Sequence, residues 1–131
     1  MCVLVDDAGA FVGGAILPGI DMSARALDDA TDALPLIDVD RLRQPPAPVG
    51  KSTVAAIEAG LYWGAVGAIG ELVDRLSAGL TQPPDVLVTG GGWLPLGERL
   101  ADRIGRPVRH VPHLVLAGIA LVDQANCDAG G

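Results

Sequence analysis

One stretch limits what this chain can become: Gly50 to Leu76, GKSTVAAIEAGLYWGAVGAIGELVDRL. Apolar residues recur at Val54, Ile57, Leu61, Ala65, Ile69, Leu72 and Leu76, in steps of three or four that gather on one helical face. Ser52 and Thr53 stand just before the run, where a hydroxyl can cap free backbone amides. Glu58, Glu71 and Asp74 interrupt the apolar sequence, and the uncharged segment between the glutamates is too short to cross a bilayer. The stretch predicts a long helix, mostly buried in a soluble domain. Its opening turn, Gly50-Lys51-Ser52-Thr53, is the first place to seek a ligand, because unpaired amides and the positive end of the helix dipole meet there.

Such a helix needs layers to pack against, and 131 residues supply one domain's worth. Half the residues are apolar but only 3% are aromatic, so the core must be built from Val, Leu, Ile and Ala. The net charge of −7 argues against a nucleic-acid surface, and Lys51 is the only lysine. A solvated side chain is the default reading of Lys51, despite its place beside a helix N-terminus. Cys2 and Cys127, at opposite ends, read as reduced thiols rather than a disulfide framework. Met1 leads into a strand-like run without a basic segment, so no secretory leader is expected and the cytoplasm is the default location.

Around the helix, Val3–Val5, an Asp6-Asp7-Ala8-Gly9 turn and Ala10–Val12 read as a β-hairpin. Gly13-Gly14-Ala15-Ile16-Leu17-Pro18-Gly19 follows. Its glycines allow a ligand or another backbone to come close, and taken alone a bulge with a Pro-Gly turn is the favoured reading. Asp21 or Ser23 is expected to cap a short helix ending near Thr31. Ala33–Ile37 is extended, and Arg41–Val49, with three prolines, is a surface loop. Beyond the long helix, Asp85–Thr89 reads as a buried strand, Leu94–Ile104 as a helix, Pro107–Val111 as a strand and Leu114–Asp123 as a last apolar helix. Residues 126–131 read as a disordered tail. The alternation implies an α/β sandwich, with a hairpin first and parallel pairing later.

Few residues carry a chemical signal. Lys51-Ser52 suggests a P-loop, but that loop needs a glycine where Pro45 stands and a strand where Pro45, Pro46 and Pro48 lie. His110 and His113 flank Pro112 without further ligands, so they read as strand-end histidines rather than a zinc site. Asp28, Asp29 and Asp32 read as a solvated turn. Asp85–Thr89 running into Gly90-Gly91-Gly92 is stronger. A strand, consecutive glycines and a helix let main-chain amides face a base or ribose, with a plain strand-to-helix turn as an even alternative.

In order, these pieces resemble the C-terminal half of type III pantothenate kinases, in the superfamily of acetate and sugar kinases, Hsp70 and actin. The resemblance rests on Gly13-Gly14-Ala15-Ile16-Leu17-Pro18-Gly19, Ala26-Leu27, Thr31 with Ala33-Leu34-Pro35, and Gly50-Lys51-Ser52-Thr53 with Ala56-Ile57 and Gly60. Thr89-Gly90-Gly91 and Leu114–Gly118 with Ile119 complete it. It implies the C-terminal lobe of a ribonuclease H-like fold over residues 1–125, a mixed sheet with packed helices. It further implies ATP-dependent phosphorylation of pantothenate at the head of coenzyme A synthesis, with magnesium and a monovalent cation (potassium or ammonium), in a cytoplasmic homodimer. Thr53 then matches a substrate contact, and Thr89, Gly90 and Gly91 match the turn that holds the adenosine end of the nucleotide. The family's Asp-x-Gly-Asn-Thr phosphate loop, its Gly-x-Asp-Arg base segment and its Asp-x-Gly-Thr-Ala cation motif are not in this sequence. Asp7-Ala8-Gly9-Ala10, inside the hairpin turn, is no substitute. The chain is therefore expected to act as one lobe of a two-lobed kinase, inactive without an N-terminal lobe and lacking a general base of its own. The competing reading is a non-catalytic binding or dimerisation module of the same descent. No contact with a membrane is expected.

Overall fold

The chain opens on the expected hairpin, in a computed structural model that describes residues 1–91 and 96–129. β1 (Cys2–Val5) lies antiparallel to β2 (Phe11–Ala15). Asp6 shapes the turn, its Oδ1 accepting from the amides of Ala8 and Ala10 at 3.0 and 2.8 Å. The register slips between Leu4 and Val5, a bulge that leaves one extra residue on β2. Gly14 runs so close to β1 that a Cβ there would meet the carbonyl oxygen of Cys2. The glycine pair thus serves a bulge and a close backbone approach.

α1 (Ile20–Asp29) starts two residues earlier than the nearer of its expected caps, Asp21, suggested. Gly19 is its N-cap, without a side-chain bond, and Asp21 lies in the first turn, paired with Arg25 at 2.9 Å. Its exit is held by Thr31, whose Oγ1 donates to the Leu27 carbonyl at 2.7 Å and accepts from the Leu34 amide at 3.3 Å. The proline-rich loop begins with a 3₁₀ turn, Val39–Arg43, that sequence reading missed. Asp38 caps it and Leu42 is buried beneath it.

α2 (Thr53–Ser77) is the predicted long helix. Its length and apolar character would also suit a membrane span. Here it is the central layer, with Ile57, Tyr62 and Val66 joining Ala24, Leu42 and Leu96 in one core. The fully buried stripe after Ile57 is Tyr62, Val66 and Gly70, while the predicted Leu61, Ala65 and Ile69 are half-buried against the same core. The reason is α3 (Gly97–Ile104), which packs on that side with Leu100 and Ile104 buried. Arg103 lays its stem over Gly70, where a Cβ would come within 2.6 Å of its Cγ, and reaches Asp74 at 3.0 Å and Glu71 at 3.8 Å.

β3 (Val86–Val88) pairs in parallel with β4 (Val108–His110). The expected mixture of antiparallel and parallel pairing is present, but in two separate two-stranded sheets rather than one. α4 (Leu114–Ala129) continues past Asp123 into the stretch expected as a tail, and Val115, Leu116, Ile119, Leu121 and Val122 stay exposed along it. Gly92 and Leu94 of the predicted glycine turn and helix, and Gly130 and Gly131 of the tail, lie outside the described residues.

Candidate functional site

The start of α2 is built by a division of labour between two neighbouring hydroxyls. Ser52 has the extended backbone of an N-cap, and its Oγ accepts from the Ala55 amide at 3.2 Å. Thr53 is the first helical residue and is exposed. Sequence reading left the cap open between them; the structure gives it to Ser52, so Thr53 Oγ1 is not occupied in capping. Gly50 folds back against this turn, where any Cβ would strike the backbone of Ala55 and Ala56. Lys51 is exposed beside it.

Two contacts hold the approaching loop against the helix. Trp63 Nε1 donates to the Pro46 carbonyl at 3.1 Å, its ring edge-on to Tyr62 with centroids 4.9 Å apart. Glu58 Oε1 lies 3.2 Å from Arg41 Nε, at an angle that gives an ion pair without a hydrogen bond. The Glu58 side chain is only 14% exposed, which explains an acid on an otherwise apolar helix face. Nothing in the sequence signals the Trp63–Pro46 pairing. Burial pushes the Tyr62 phenol above its usual range, with Arg99 opposing the rise and Glu98 adding to it.

The second predicted stretch lies at the carboxyl end of β3. The Val88 carbonyl accepts from Val111 at 2.8 Å, extending the ladder by one step. Thr89 is exposed beyond it, and Gly90 takes φ +90°, which favours glycine. A Cβ on Gly90 or Gly91 would meet no described atom within 4 Å, so the main chain here is open to a flat group. Thr89 and Gly91 border a cavity of about 930 Å³ whose floor is α2 from Ala65 onward. Thr53 does not border it. The helix rise puts Ala65 roughly 18 Å along the axis from Thr53, so the structure does not bring the two predicted stretches into one pocket. His110 ends β4 opposite Val88, as a strand-end histidine should. Among the described residues, no three His, Cys, Asp or Glu side chains gather closely enough to hold a metal ion.

The stretch from the hairpin through the Ser52–Thr53 helix start is matched by one family. A family model described as type III pantothenate kinase matches residues 1–75. The chain belongs to the type III pantothenate kinase family. The type III pantothenate kinase of Chlorobaculum parvum is 39% identical over 129 residues, covering 94% of this chain and 45% of that protein. That of Dehalococcoides mccartyi is 37% identical over 136 residues, with 95% and 50% covered. That of Acidiphilium cryptum is 37% identical over 123 residues, with 94% and 44% covered. The chain spans about half the length of these kinases. The family match reaches from the hairpin to Arg75, so it includes the Gly50–Thr53 turn but not Thr89–Gly91.

Proposed function

We propose that this chain is the C-terminal, pantothenate- and adenosine-contacting part of a kinase that phosphorylates pantothenate with ATP, the first step of coenzyme A biosynthesis. The family match over residues 1–75 carries the reading. Its finer form, a ribonuclease H-like lobe of the actin, Hsp70 and sugar kinase kind, draws support from the mixture of antiparallel and parallel strands around α2. Thr53 offers a pantothenate oxygen a hydroxyl that capping does not use, held still by the Trp63 and Glu58 contacts behind it. The adenosine end of ATP lies over Thr89, Gly90 and Gly91, where glycine leaves the main chain bare.

Transfer of the phosphoryl group needs a base within reach of the hydroxyl and donors around the triphosphate. Glu58, the most enclosed carboxylate in an ion pair, is engaged by Arg41. In this reading the base and triphosphate contacts belong to an N-terminal lobe. Magnesium and a monovalent cation, potassium or ammonium, belong to the same reading. Among the described residues no three His, Cys, Asp or Glu side chains cluster for a metal, and no step is routed through magnesium. The working enzyme is cytoplasmic and homodimeric in this reading. Gly60, Gly64 and Gly67 suit a close subunit approach, since a Cβ on any of them would meet nothing described within 4 Å. That open face also favours the second reading, a non-catalytic dimerisation module of the same descent.

The test is to assay the chain alone, and then joined to the part of the Chlorobaculum parvum kinase that it does not match, with ATP, magnesium, potassium and pantothenate. The joined protein should form phosphopantothenate and the chain alone should not. Turnover by the chain alone on the order of 1 per second would refute the division of labour. A folded but inactive joined protein would refute the kinase reading.

A further inference from the structure

Helix α4 departs from the pattern of the other helices. α1, α2 and α3 each bury part of one side, whereas every residue of Leu114–Ala125 is exposed. Residues 114–122 carry no charge, and Val115, Leu116, Ile119, Leu121 and Val122 spread over three sides of the helix rather than one. A helix that is apolar on several sides is suited to being enclosed, not to lying on a flat surface. Leu114–Ala125 rises roughly 18 Å, short of a hydrocarbon core of about 30 Å. It has no basic polar face for lying in a membrane surface either. Such a helix calls for a concave partner.

The chain carries such a concavity. Its cavity of about 930 Å³ is lined largely by apolar residues and floored by Ala65, Ile69, Val73 and Leu76, all only half-buried. A helix about 10 Å across, rising about 1.5 Å per residue, takes up roughly 120 Å³ per residue. The cavity then takes about eight residues, close to the length of the uncharged run. Among the described residues, Leu114 is the one α4 residue that borders the cavity, so α4 starts at the mouth and leads away. To fill its own cavity it would have to reverse at Pro112-His113. That joint is tied on both sides, by Val111 donating to Val88 and by Ala117 donating to the His113 carbonyl.

We infer that α4 of one copy fills the cavity of a second copy and receives that copy's α4 in its own. The exchange is two-fold and closed: each dimer covers both surfaces twice and leaves no end for a third chain. Neither the run nor the floor brings a charge into the contact. The contact lies on the side of α2 away from exposed Gly60, Gly64 and Gly67, so it is separate from any approach on that face. It does not rest on the kinase reading.

The test uses the full chain. Wild type should sediment as a dimer. Ile119→Glu should sediment as a monomer of unchanged helix content, and Met22→Glu, a similarly exposed apolar site on α1, should remain a dimer. The partner surfaces are then mapped in a Cys2→Ser, Cys127→Ser background, which removes both native thiols. Ala65→Cys puts a thiol on the cavity floor, and Leu116→Cys, Ile119→Cys or Val122→Cys puts one along α4. The floor chain is mixed with each helix chain in dilute solution, reconcentrated and treated with a short bismaleimide. Linkage between floor and helix chains should form for at least one helix position. Where Ala65→Cys does not fold, Ile69→Cys replaces it, and where Ile119→Glu does not fold, the linkage decides. The inference is overturned if wild type is monomeric at every concentration, or if a folded Ile119→Glu remains a dimer. Linkage of helix chains to each other without floor-to-helix linkage also overturns it. So does linkage within single chains of Ala65→Cys/Ile119→Cys when the mixed chains give none.

Discussion

Replacing Ser52 with alanine removes the side-chain acceptor that the Ala55 amide uses at the start of α2. Replacing Thr53 with alanine removes a neighbouring hydroxyl that takes no part in the cap. The two substitutions should therefore separate completely. Loss of an N-cap costs about 0.5–2 kcal/mol, typically about 1. For a domain of this size that lowers the melting temperature by about 3–5 °C. Thr53→Ala should leave stability unchanged or raise it by a few tenths of a kcal/mol, because alanine is the better helix former at an exposed position. Binding should show the reverse order. In the protein joined to its other half, loss of a ligand hydrogen bond from Thr53 should weaken pantothenate by about 1–3 kcal/mol, or about 5- to 150-fold. Thr53→Ser keeps the hydroxyl and should retain most of the affinity, while Ser52→Ala should leave it nearly intact. Thermal melting of the chain and calorimetry with pantothenate on the joined protein read the two effects. If Thr53→Ala lowers the melting temperature as much as Ser52→Ala does, the cap assignment is wrong. If Thr53→Ala melts as wild type and binds pantothenate as before, the substrate role is wrong.

Gly14→Ala and Gly50→Ala should each cost about 1–3 kcal/mol by overpacking against backbone that cannot move aside, measured by denaturant unfolding; a neutral result would refute the close approaches. Gly64→Ala, facing open space, should instead stabilise a monomeric chain by up to about 1 kcal/mol through helix propensity. If Gly64→Leu leaves the sedimenting mass of the folded chain unchanged, the glycine face is not a subunit contact. Tyr62 is the only tyrosine, so phenolate absorbance follows it alone. Its raised pKa means that the folded state holds the proton more tightly than the unfolded one. Stability should be complete below the ordinary phenol value of about 10 and fall as pH rises from there through the raised value. Tyr62→Phe should remove that alkaline loss, and titration at the ordinary value would contradict the burial.

The long helix and the hairpin were legible because their signals are local: a repeat of three and four residues, and an Asp/Gly turn between apolar runs. Leu61, Ala65 and Ile69 were expected on the apolar face of α2 and are half-buried there, while the fully buried residues are Tyr62, Val66 and Gly70. Periodicity finds an apolar arc, but the partner that covers it, here α3, is set by a contact distant in sequence. The α1 cap was misplaced because Asp21 serves an ion pair with Arg25 while Gly19 takes the cap position without a side chain. In the proline-rich loop, turn residues concealed a 3₁₀ turn whose sign was the single buried Leu42. At the candidate site, the Gly50–Thr53 turn was marked by chain order. Its fixing by Trp63 to Pro46 and Glu58 to Arg41 was not, since those pairs meet only once the loop has folded onto the helix.

The contacts behind Thr53 take on a further meaning when α2 is treated as a lever. From Thr53 to Ser77 the helix is roughly 36 Å of continuous rod. A tilt of about 5° around its Ser77 end would swing the hydroxyl end by roughly 3 Å, the whole span of a hydrogen bond. Misplacements far smaller than that can slow a reaction on the order of a hundred-fold. Trp63 and Glu58 grip the rod within its first three turns, so they fix its aim at the end where a small angular error is magnified most.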